Sequence, residues 1–128
     1  MVLVIETWVI SDDIPAPVSS EVVRETLRLR IGSGRFETWL ISSSGRSLAF
    51  VTNTERAMVM LLEEEGDPGE HAVEPGSDGS SDGFVLSNGQ HDEYPDQDTV
   101  PIGEAFRLVE HIVGTGSWPA DAHWVVDR

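Results

Sequence analysis

Four adjacent residues, His91-Asp92-Glu93-Tyr94, combine an imidazole, two carboxylates and a phenol, the side chains of general acid–base catalysis or of a hard metal site. Neighbouring side chains on a strand point to opposite faces, so the four do not converge on one atom. They read first as the solvated rim of a polar hairpin, with a small enzyme or metal-binding module built on His91 and the nearby carboxylates as the alternative. The remaining histidines, His71, His111 and His123, show neither H-x-x-x-H nor H-E-x-x-H spacing. The segment Asp78-Gly79-Ser80-Ser81-Asp82-Gly83 opens like a calcium loop, but its twelfth position is Gly89, where a bidentate Glu is required. A flexible acidic loop is expected there. Gly32-Ser33-Gly34 lacks the third glycine of a dinucleotide fingerprint, and Ser42-Ser43-Ser44-Gly45 contains no nucleophile elbow. These patterns assign no catalytic residue, metal or cofactor.

The chain has 128 residues, the size of one domain spanning 1–128. Its eight basic residues are all Arg, and against 23 acids they give a net charge of -15. A surface of that sign repels phosphate, which argues against binding nucleic acid or an anionic membrane and for a cationic partner. The absence of cysteine removes disulfides, thiolate chemistry and Cys-ligated metals, and suits a reducing compartment. MVLVIETWVI carries no basic leader region and meets Glu6 early, and no apolar run approaches the roughly 18 residues that span a bilayer. A soluble, cytoplasmic protein is expected.

The elements that would position these residues follow from periodicity. Residues 2–10 are β-branched and aromatic and read as a strand, closed by a Ser-Asp-Asp and Pro15/Pro17 loop. Val22, Val23, Leu27 and Ile31 then recur at helical spacing behind Ser19/Ser20, with acids early, arginines late and Gly32 at the end, which predicts an amphipathic helix over about 19–31. Phe36–Ser42 and Leu48–Val51 read as a hairpin turning at Ser43-Ser44-Gly45. Ala57–Leu62 fits a strand by its length, while its Met, Leu and Ala content also suits a helix.

Residues 63–98 hold twelve of the 23 acids and no arginine. Glycines and prolines break this stretch into loops, with short strands expected at His71–Glu74 and Phe84–Ser87, an Asn88-Gly89 turn, and a mobile tip near 75–83. Pro101 opens a second amphipathic helix over about 101–114, stopped by Gly114 and Gly116, and His123–Val126 reads as a last strand. Strand and helix do not alternate, so the expected class is α+β, with a mainly antiparallel sheet and two amphipathic helices.

The C-terminal third resembles a known family. Asp82-Gly83-Phe84-Val85-Leu86-Ser87-Asn88-Gly89, Asp92-Glu93-Tyr94-Pro95, Val100-Pro101, Glu104-Ala105, Thr115-Gly116, Pro119 and Trp124 resemble the signature of the first-numbered immunity family of bacterial polymorphic-toxin systems. The likeness covers residues 82–126; over 1–62 it extends only to the order of strands and helices. Where the family has Gly-Arg-Pro after the helix, this chain has Gly116-Ser117-Trp118-Pro119. The resemblance implies a cytoplasmic antidote that binds the toxic C-terminal domain of a secreted effector, often a nucleic-acid deaminase, and blocks its active site. Charge agrees independently, because a toxin that grips nucleic acid needs a basic groove that an acidic domain can fill. The residues expected to carry that contact are Asp92, Glu93, Tyr94, Asp96 and Asp98, with Trp118 as an aromatic anchor.

Overall fold

The computed structural model describes residues 6–128. In chain order it contains β1 (Trp8–Ile10), β2 (Ala16–Val18), α1 (Val23–Gly32), β3 (Glu37–Ser42), β4 (Ser47–Thr52) and β5 (Arg56–Leu62). There follow β6 (Glu70–Ala72), β7 (Ser80–Val85), β8 (His91–Pro95), a 3-10 turn (Asp96–Asp98), β9 (Val100–Pro101), α2 (Ile102–Thr115) and β10 (Trp124–Val126). Eight strands form one antiparallel sheet in the order β10-β6-β5-β4-β3-β1-β2, with β9 pairing the start of β5; β7 and β8 make a separate hairpin. The class is α+β, with two helices and a mainly antiparallel sheet.

Both helices lie on one face of the sheet. Leu40, Leu48, Phe50, Val59 and Leu61 point to that face and are buried against Val23 and Leu27 of α1 and Leu108, Val109 and Ile112 of α2. Phe50 stacks on Phe106 at 5.8 Å, and the Arg24 and Arg28 guanidinium groups each lie 5.6 Å from the Phe106 ring centre. No helix among the described residues is long and apolar enough to cross a membrane.

Several boundaries differ from the sequence expectation. Residues 2–5 of the first expected strand lie outside the described residues. Ala16–Val18, expected as loop, is an edge strand with Pro17 opposite Val9, a position where the missing proline N–H is tolerated. The first helix starts at Val23 rather than Ser19. The Ser19 carbonyl, not a serine hydroxyl, accepts the Val22 and Val23 N–H groups, and Val22 caps the helix without a side-chain bond. Ser20 packs instead against α2, where a Cβ at Gly114 would sit 3.1 Å from the Ser20 Cβ. Gly114 therefore lies within α2 as a close-approach site, and Gly116, at φ +81°, ends the helix.

Pro101 precedes α2 and pairs with Arg56 in β9, while the Ile102 N–H donates to the Glu55 carbonyl. Residues 57–62 are strand: each of them pairs with β4 across Ser47–Thr52, and that ladder overrides their helix propensity. Ser80–Gly83, expected as part of a mobile tip, already belong to β7.

One ion-pair network ties the start of the described chain to the end of α2. Arg46 donates to Glu6 through Nε at 2.9 Å and Nη2 at 2.5 Å and to the Gly116 carbonyl at 2.7 Å. Its guanidinium lies 5.7 Å from the Trp8 ring centre, and the Ser44 hydroxyl also donates to Glu6. The Arg46 hydrogen bonds, outweighing partial burial, hold the Glu6 carboxyl at about 2 instead of 4.5. A lowered carboxyl stabilises the fold above its ordinary range, and that contribution fades as pH falls through its folded value. Glu6→Gln is expected to cost about 1–2 kcal/mol at pH 7 after allowance for solvent screening. In urea melts the wild-type advantage should shrink steadily between pH 4.5 and pH 2.

Candidate functional site

The charge is distributed unevenly. Seven of the eight arginines are ion-paired; within the described residues Arg28 alone has no carboxylate partner. Twelve of the 23 carboxylates take an arginine or His71 as partner, which leaves eleven with none among the described residues. Five of these eleven, Glu55, Asp78, Asp82, Asp92 and Glu93, lie on the β7–β8 hairpin or beside it, and Glu37 adjoins them.

Alternation along β8 splits the expected quartet. Asp92 and Tyr94 are half-buried on one face, whereas His91 and Glu93 are exposed on the other, so the imidazole does not meet the Asp92 carboxylate. The Tyr94 hydroxyl donates to Asp92 at 2.8 Å, and the Gln90 side-chain amide donates to it at 2.7 Å. Tyr94 packs edge-on against Phe84 at 4.8 Å, and Phe84 is fully buried.

Beneath them, Glu37 accepts the Ser87 backbone N–H and the Trp39 indole N–H, each at 2.9 Å. Those bonds, the backbone one foremost, lower its carboxyl below the usual range despite the opposing charge of Asp92. Trp39, Glu37, Tyr94 and Asp92 thus form a contiguous aromatic and acidic surface. Sequence reasoning missed Glu37 and Trp39. Their i, i+2 spacing in FETWLIS put them on one face, but nothing in the sequence said that the hairpin would fold against it.

Burial first, and the Asp92 carboxylate second, push the Tyr94 hydroxyl up to about 12. It is the chain's one tyrosine, so ultraviolet absorbance of the phenolate reads this group alone. The native protein is expected to show almost no phenolate at pH 10.5, and Asp92→Asn to titrate visibly earlier.

On the other face of the hairpin, Glu93 accepts the Ser80 hydroxyl at 2.6 Å and, with Glu55, Asp82 and Asn53, lines an open cleft of about 310 Å³. Asn53 also donates to the Asp82 carbonyl at 2.9 Å. The adjoining β4–β5 turn is strained, because Thr54 is β-branched and sits at φ +81°. The Thr52 hydroxyl oxygen holds it by accepting the Thr54 N–H at 3.0 Å, and the Asn53 side-chain oxygen accepts the Arg56 N–H at 2.7 Å.

The remaining expected site residues serve the fold. Asp96 accepts the Ser81 hydroxyl at 2.5 Å and lies 3.7 Å from the Arg56 Nε. Asp98 pairs with His71 Nε2 at 3.1 Å, and Asp127 pairs with Nδ1 at 2.7 Å. Trp118, expected as an aromatic anchor for the partner, is 8% exposed; its indole N–H donates to Glu70 at 2.8 Å and its ring stacks on Trp124 at 5.8 Å. The left-handed turn at Gly116 folds Trp118 back onto the sheet edge, and Trp124, 39% exposed, is the surface member of the pair.

The two carboxylates at His71 sit on opposite ring nitrogens, so the three groups do not converge on a metal position. Among the described residues no group of three or more His, Asp or Glu is arranged to hold a metal ion. Burial pulls the His71 pKa down, but hydrogen bonds to Asp127 and Asp98 outweigh it and the net shift is upward. A raised histidine adds stability that is complete below its ordinary 6.5 and is lost as pH rises through the folded value. Wild-type melting temperature is therefore expected to fall between pH 6 and pH 9, by more than that of His71→Asn.

No family model matches the chain, and no curated protein is similar enough to it to show a relationship.

Proposed function

We propose that the protein is an immunity protein: it binds the basic toxin domain of a cognate secreted effector, a nucleic-acid deaminase, and occludes its active site without chemistry of its own. The observation that carries this reading is the set of carboxylates left without cationic partners, concentrated on the β7–β8 hairpin and the β4–β5 turn. That hairpin lies in the segment whose motifs resemble the immunity family. A groove that grips phosphate is basic, and an acidic surface facing it accelerates association and selects the partner. The proposed place of action is the cytoplasm, where the toxin would meet its substrate.

The test is co-expression with the C-terminal domain of the effector encoded beside this gene. Growth rescue together with a stable, salt-sensitive complex on pull-down is the expected result. Absence of both rescue and complex would remove the antidote reading.

A further inference from the structure

The sheet face away from the helices is more apolar at its centre than a solvated antiparallel face normally is, with its polar side chains, Glu37, Arg56 and His71, toward its ends. Register places Pro17, Val9, Ile41, Ser47 and Leu62 in one row across β2, β1, β3, β4 and β5. Five strands make that row roughly 19 Å long at about 4.8 Å per strand, and Ser47 is its one polar member. A second row runs Trp39, Ala49, Met60, His71 and Val125. The β7–β8 hairpin packs against β4 and covers the row beyond it, burying Val51 and Phe84. No strand covers the first row or the β5–β6–β10 part of the second: Ile41 is 36% and Val125 43% exposed, Pro17 is exposed, and Val9, Ser47, Met60, Leu62 and His71 are half-buried.

We infer that this open face is the docking surface for the toxin domain: an apolar centre at Val9, Ile41, Met60 and Leu62, bordered by carboxylates. The inference rests on the proposed antidote function and assigns it a surface. Charge selects the occupant. Glu37 and Asp92 border the face at the hairpin, and Asp98 and Asp127 flank His71 toward the other edge. A second copy laid face to face would bring two chains of net charge -15 together, and an anionic membrane would be repelled in the same way. A basic protein face with apolar side chains at its centre satisfies both parts of the surface. Met60 suits such a contact, because its flexible thioether adapts to its partner's shape.

The experiment measures affinity for a catalytically inactivated C-terminal domain of the adjacent effector by calorimetry, using the full chain. Ile41→Arg is expected to weaken binding at least 100-fold with an unchanged melting temperature. Leu29→Arg, at a position on α1 that is 67% exposed on the helix layer, should bind like wild type. If Ile41→Arg does not fold, Val125→Arg on the edge strand gives the same readout. Tight binding by wild type and by a folded Ile41→Arg alike would overturn the surface assignment while leaving the antidote reading intact. Failure of wild type to bind would remove both. A wild-type dimer in sedimentation that Ile41→Arg dissociates would give the face to a second copy instead.

Discussion

Arg56→Ala is expected to lower stability by about 3 kcal/mol and to loosen the hairpin's attachment to the sheet, an effect larger than any other single charge deletion here. The Arg56 side chain, at 17% exposure, donates to the Thr99 hydroxyl at 2.8 Å, the Glu74 carboxylate and Asp96 carbonyl at 3.0 Å each, and the Thr99 carbonyl at 3.1 Å. It thereby joins β5 to the segment after β6, to the 3-10 turn that ends the hairpin, and to the residue before β9. Thr99 is fully buried, so truncation leaves its hydroxyl and carbonyl short of a donor. Arg56→Lys should recover only part of the loss, since a single ammonium group cannot reproduce the planar fork. Urea denaturation of the three proteins checks this, and equal midpoints would show that the network contributes nothing.

Double reversal of Asp92 and Glu93 to Lys should slow association with a basic toxin domain by about 10- to 100-fold while changing dissociation far less. Neither carboxylate holds an arginine among the described residues, so the fold should survive. Asp92 gives up only the bonds from Gln90 and Tyr94, and Glu93 only the bond from Ser80. The wild-type rate should fall steeply between low salt and 0.15 M, where the screening length is about 8 Å, and the reversed variant should lose most of that dependence. Stopped-flow fluorescence would register both. Asp96 and Asp98 are poor positions for this test: one carboxylate lies against Arg56 and the other pairs with His71, so reversing them perturbs folding and binding together.

The sign and density of charge, the absence of thiol chemistry and the α+β class were all legible in the chain, because composition is indifferent to conformation and local period reports local burial. The α2 stripe is the clearest case: Ala105, Phe106, Leu108, Val109, Ile112 and Val113 are all buried, as their spacing required. Alternation likewise showed that His91, Asp92, Glu93 and Tyr94 do not all converge on one atom, since the period of a strand is two, while which of them face the sheet was set by how the hairpin packs.

Other features depended on partners distant in sequence. Ala57–Leu62 is strand because β4 supplies a ladder, not because of its own preference. Trp118 is buried because Glu70, 48 residues earlier, takes its N–H and Trp124 takes its face. Glu37 and Trp39 join the acidic hairpin through Ser87, 50 residues later in the chain. Sequence period states which residues share a face; only the packing of helices on one side and a short hairpin on part of the other determined which apolar residues stayed open. That outcome is the lowest free energy of many long-range contacts at once, and no local window of the chain contains it.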